Sequence, residues 1–137
     1  QQVAGHVEHW HKWSFALAAA TLQDLLVPTS AWIPVQKSRR LRRYQVAADR
    51  ALSLISPDIY PDWGCDLELT KVRVHSQAWW TVGFESFGTE ASLQKNLYRA
   101  IEQVLENPPP LVLAVDDSLA YPRWLQIAGP PFSERSC

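Results

Sequence analysis

The run CDLELTKVRVHSQAWWTVGFESFG, residues 65–88, decides the fold. Two stretches rich in Val, Thr, Phe and Trp flank a polar break at His75 to Gln77, the pattern of a β-hairpin. With the turn placed there, alternation puts Glu68, Thr70, Val72 and Val74 on one face with Ala78, Trp80, Val82 and Phe84. Leu67, Leu69, Lys71 and Arg73 then share the other face with Trp79, Thr81, Gly83 and Glu85. The first set is mostly apolar and is expected to face the core. The second carries cations, a carboxylate and a hydroxyl, which suits solvent or the floor of a polar cleft.

Downstream, Thr89 opens an amphipathic helix in which Leu93, Leu97, Ala100, Ile101 and Val104 form one stripe, ended by Asn107 and a run of prolines. LVLAV, residues 111–115, is expected as a buried strand, followed by a loop and a tail that is loose from about residue 126. Upstream, SPDIYPDWG at 56–64 is a loop by its prolines and glycine. The segment 37–55 fits two patterns. As a helix it aligns Leu41, Tyr44, Ala48, Leu52 and Ile55; as a hairpin it turns at Ala48 to Arg50, and a strand followed by a short second element is preferred. Residues 31–35, interrupted by Pro34, suit an edge strand. Ser14 can cap a helix through Phe15, Ala18, Leu22 and Leu25 that Pro28 stops, and Val3 to Trp13 alternates as a strand. These elements predict an α+β fold, a single domain over 1–137 whose mainly antiparallel sheet carries two amphipathic helices packed on one side.

Composition agrees with a globular chain: 137 residues, 47% hydrophobic, 20% charged, formal net charge −1. Cys65 and Cys137 give no disulfide framework, so a reducing, cytoplasmic setting is expected. The most apolar stretch, Phe15 to Val27, is short for a membrane span and contains Gln23 and Asp24, and no basic leader with a small-residue cleavage site precedes it; neither a membrane partner nor a signal peptide is expected. No Gly-rich phosphate loop, G-x-S-x-G elbow or Cys-His dyad motif occurs, which argues against the common nucleotide folds and serine hydrolases.

Charge is nevertheless segregated. Lys37, Arg39, Arg40, Arg42 and Arg43 place five of the thirteen basic residues in seven positions. On a strand Arg40 and Arg42 project together with Tyr44, while Arg39 and Arg43 line the opposite side, and the planar guanidinium fork suits phosphate oxygens. On the hairpin, Lys71, Arg73, Thr81 and Glu85 could hold a metal–phosphate complex or simply form cross-strand ion pairs. In GHVEHWHKW, residues 5–13, His9 and His11 point the same way but need further ligands for a closed metal site, which His75, Cys65 or a carboxylate would have to supply. The echoing YPDW (60–63) and YPRW (121–124) are aromatic–proline corners, and the adjacent Trp79 and Trp80 are aromatic anchors of the type enriched at interfaces.

Three blocks, the opening VEHWHKW followed by a helix, the RRLRRY strand, and WWTVGFESFG before an amphipathic helix, resemble the CYTH or triphosphate tunnel superfamily, whose strands line a channel with alternating acids and bases. Of the opening acidic pattern Glu8 and Lys12 fit, with Trp10 in place of a second carboxylate. The resemblance implies Arg40, Arg42, Lys71 and Arg73 as phosphate contacts and Glu8, Glu68 and Glu85 as metal contacts, although the register above puts Glu68 and Glu85 on opposite faces. The expected function is therefore binding of a phosphate-rich anion through Arg40, Arg42, Lys71 and Arg73, with or without a divalent metal ion at Glu8 and Glu85. Catalysis is left open. The alternative is a non-catalytic interaction domain that meets a protein partner through Trp79 and Trp80. Nucleic acid is not expected from a slightly acidic chain that lacks a recognition motif.

Overall fold

The computed structural model describes residues 3–10, 16, 18, 33–47, 51–74, 76–107 and 112–128. Within them four strands form one antiparallel sheet: β1 (Val35–Val46), β2 (Leu52–Ile55), β3 (Gly64–Val74) and β4 (Gln77–Phe87), in the order β2-β1-β3-β4. Two α-helices, α1 (Glu90–Leu105) and α2 (Tyr121–Ala128), complete an α+β arrangement. The chain groups into two compact units, Gln1–Gln36 with Arg73–Gln77 and Val112–Cys137, and Lys37–Val72 with Ala78–Leu111.

The second unit holds most of the sheet. Segment 37–55 is a hairpin: β1 pairs antiparallel with β2 through Arg43↔Ile55, Tyr44↔Leu54, Gln45↔Ser53 and Val46↔Leu52. Four residues suffice for β2, because the Ala47 amide bonds the Ala51 carbonyl at 2.9 Å and closes the ladder beside the turn. The loop from Ser56 to Trp63 then crosses back, and the Val46 amide bonds the Trp63 carbonyl at 3.0 Å where β3 begins. Cys65, Asp66, Thr70, Val72 and Val74 are buried along β3, so the strand interior to the sheet carries much of the core.

Gly88 joins β4 to α1 at φ +140, a conformation open to glycine; a Cβ there would come within 2.7 Å of Trp63 Cδ1 and Ser92 Oγ. Thr89 is the N-cap residue of α1, in extended conformation, with its carbonyl accepting from the Ser92 amide at 2.8 Å. The expected stripe is the inward side: Ala100 is fully buried, and Leu93, Leu97, Ile101 and Val104 are half-buried. Buried Asn96 donates its Nδ2 to the Phe87 carbonyl at 3.1 Å, a bond that ties the helix to the end of β4.

In the first unit the structure departs from several expectations. Residues 4–10 form no strand; Val3 makes an isolated parallel bridge to Leu113, the Ala4 amide bonds the Leu113 carbonyl at 2.9 Å, and the His6 amide bonds Ser118 Oγ at 2.8 Å. Of LVLAV, Leu111 lies outside the described residues, and residues 112–115 contribute a single bridge at Leu113 rather than a buried strand, with Val112 71% exposed. Asp116 and Asp117 turn the chain into a 3-10 segment, Val115–Asp117. YPRW, expected as a loop corner, is the start of α2, which runs through residues 126–128: Pro122 sits in the first turn, where its missing N–H costs nothing. Tyr121 and Trp124 meet edge to face, 6.1 Å apart at 83°. The expected helix from Phe15 lies outside the described residues apart from Ala16 and Ala18, which are exposed and carry no regular structure, so Ala18 does not join a buried stripe. The strand at 31–35 is described only from Ile33, and Val35 begins β1.

Candidate anion-binding face

The hairpin register follows from its connection. β3 ends at Val74 and β4 starts at Gln77, leaving two residues between them rather than the three expected at His75 to Gln77. A slip of one residue exchanges every side chain between faces. Thr81 Oγ1 lies 3.5 Å from the Thr70 carbonyl, and Lys71 Nζ sits 5.9 Å from the Trp80 ring centroid, so 70 pairs with 81 and 71 with 80. Thr70 and Val72 therefore share a side with Trp79 and Thr81, while Leu69 and Lys71 share the opposite side with Trp80 and Val82. Exposure agrees: Trp80 is 61% exposed and Trp79 is half-buried.

Ion pairs extend the assignment to β1. Arg43 and Asp66, and likewise Arg39 and Glu68, join across β1 and β3 at 2.8 and 2.7 Å, so odd residues of β1 share a side with even residues of β3. One face of the sheet then carries Arg39, Arg43, Asp66, Glu68, Thr70, Thr81 and Glu85. The other carries Arg40, Arg42, Tyr44, Cys65, Leu69, Lys71, Trp80 and Val82. The carboxylates of the four strands, Asp66, Glu68 and Glu85, all fall on the first face. Glu68 and Glu85 are thus on the same side, contrary to the expected register, and Lys71 is on the side away from Thr81 and Glu85. The polar floor expected from Lys71, Arg73, Thr81 and Glu85 is not formed.

On the first face charge is neutralised. Arg43, 7% exposed, donates Nε and Nη2 to the two Asp66 oxygens at 2.8 Å and Nη1 to the Pro57 and Ile59 carbonyls at 2.7 and 3.0 Å. Its guanidinium lies 4.5 Å from the Tyr60 ring and 5.7 Å from the Phe87 ring. The hydrogen bond to Asp66 drives its pKa still higher, against the desolvation that opposes charge. A cavity of about 290 Å³ remains beside it, lined by Arg43, Tyr60, Pro61 and Phe87. Because these donors are already engaged, Arg43 is an anchor for the 56–63 loop rather than an anion site.

On the second face no such neutralisation is found among the described residues. Arg40 and Arg42 are exposed and, among the described residues, meet no carboxylate. Lys71 leans on Trp80, and Leu69 and Val82 leave apolar surface open around it. Arg73 is exposed and, two residues beyond Lys71, lies on Lys71's side of β3, in the 73–77 segment that groups with the first unit. Cys65 belongs to this side as well but is fully buried, and burial pushes its thiol up to about 12.

The expected metal residues are placed separately. Glu8 is exposed and accepts the Trp10 indole N–H at 2.6 Å; Glu85 lies on the first face of the sheet. Among the described residues no group of three or more His, Cys, Asp or Glu could hold a metal ion, with His11 and His75 outside that set. No described helix is long and apolar enough to cross a membrane. No family model, curated protein or solved structure matches the chain.

Proposed function

We propose that the protein binds a phosphate-rich anion on the sheet face that carries Arg40, Arg42 and Lys71. One observation carries this reading: every strand carboxylate projects from the opposite face, so these cations keep their charge available to a ligand. Binding is better supported than hydrolysis, since a metal ion on Glu85 would be separated from these cations by the sheet itself. The melting temperature with tripolyphosphate, compared with sulfate at equal ionic strength and repeated with magnesium, tests it. At a ligand concentration of 100 Kd the folded state gains about 2.7 kcal/mol, an increase of several degrees. The rise should vanish in the Arg40→Ala/Arg42→Ala double variant; no rise above sulfate in the parent would reject the reading. A rise that requires magnesium would favour the metal-assisted alternative.

A second reading, a non-catalytic protein interaction surface, is favoured by exposed Trp80 with Leu69 and Val82 beside it. Trp79, half-buried on the other face, would not contribute to it.

A further inference from the structure

We infer that the anion taken by this face is single-stranded nucleic acid, with a base stacked on Trp80 and backbone phosphates held by Arg40, Arg42 and Lys71. The inference rests on the anion-binding reading and narrows it to one ligand class. Its starting point is shape. A single phosphate group is best held in a closed pocket with convergent donors, and the cavity at Arg43 and the one on α1 along Gln94, Lys95, Tyr98, Arg99 and Glu102 include none of these cations. The cations are instead spread over an open sheet. Arg40 and Arg42, alternate residues of one strand, stand about 6.7 Å apart, and Lys71, opposite residue 38 on the neighbouring strand, stands about 8 Å from Arg40 and about 14 Å from Arg42. An extended ligand with repeated charges matches that spread, and a compact one does not.

The second element is the ring. Trp80, 61% exposed, is flanked by Leu69 and Val82 on an aliphatic surface, with the Lys71 ammonium at 5.9 Å. A π face beside cations suits a ligand that carries planar groups between its charges. Single strands offer both, and stacking on an aromatic platform tolerates any base. A duplex hides its bases and would be left with the phosphate contacts alone. The slightly acidic chain as a whole does not oppose this, because the field at a surface is set by nearby charges once separations exceed a Debye length of about 8 Å.

The test is fluorescence anisotropy of a labelled oligothymidylate of about a dozen nucleotides, in DNA and RNA forms, against duplex DNA and poly-glutamate competitors. The expected result is binding to the single strand that weakens at least about ten-fold in Trp80→Ala, is retained in Trp80→Phe, and loses about 0.7 of salt slope for each phosphate contact removed by Arg40→Ala or Arg42→Ala. The substituted side chains are exposed, and circular dichroism is to check that each variant is folded. Poly-glutamate competing as well as the single strand, or an affinity indifferent to Trp80→Ala, would overturn the inference and point to an acidic protein segment or simple charge attraction. If tripolyphosphate raises the melting temperature but the oligonucleotide does not bind, the inference fails while the anion-binding reading stands; if neither acts, both fail.

Discussion

Arg42 and Arg43 are consecutive in the chain and have opposite circumstances. Arg43 is enclosed by two rings, a carboxylate and two carbonyls. Arg42, turned to the other side by strand alternation, is exposed and meets no acid among the described residues. The difference between the two sheet faces is thus one of neighbours rather than of residue type. A cation that is buried with its partners organises structure, and one left open on a face without strand carboxylates is available for binding.

Replacing Arg43 with Ala should test this contrast most severely. A lone Asp66 left in the interior should cost about 3–5 kcal/mol in urea unfolding, whereas Arg42→Ala should stay within about 0.5 kcal/mol. Equal losses would erase the distinction between the faces. Exchanging Arg43 and Asp66 together for Met and Leu should be milder than removing either one, because no unpaired charge remains.

Gly64→Ala should follow, at about 1–3 kcal/mol by the same assay, since the added methyl meets the Tyr44 carbonyl and comes within 2.7 Å of Phe87 Cζ. A smaller loss would mean that the start of β3 can shift without disturbing the Arg43 site.

Cys65 supplies a pH test of the second face's buried end. Its thiol titrates at about 12 in the folded chain against 9 for an ordinary thiol, so the unfolded state loses its proton first. Stability contributed below pH 9 should therefore be lost as pH rises from about 9 towards 12, with a slope of up to about 1.4 kcal/mol per pH unit. Denaturant midpoints of Cys65→Ala and the parent, both in a Cys137→Ser background, should diverge over that window. Parallel curves would show that the thiol is reached by water.

The smallest effect on stability is expected for Trp80→Ala, within about 0.5 kcal/mol, while Trp79→Ala, on the half-buried side, should cost more. A reversed order would restore the three-residue turn and exchange the two faces.

The sequence made the elements easier to see than their relations. Alternation separated Arg40 and Arg42 from Arg39 and Arg43 correctly, and the Thr89 helix with its Leu93 to Val104 stripe stands where periodicity put it. The hairpin was legible as a hairpin, but its face assignment hung on whether Gln77 belonged to the turn, and a polar residue at a strand end gives no local signal for that. Arg43 looked like one more member of a basic run because its partner, Asp66, is 23 positions away and its carbonyl acceptors lie in a loop. YPRW misled for a different reason: proline marks corners and first helical turns alike. Val3 and Leu113, single bridge residues, carry strand-like composition without enough paired neighbours to extend a ladder.

The two-residue link between β3 and β4 reaches beyond this one chain. If the open face is what selection preserves, length changes at that tip among descendants of the same ancestor should arrive in pairs. A single inserted codon would present Trp79 where Trp80 now stands and bury the surface that the cations surround, whereas two would lengthen the tip and leave both faces as they are.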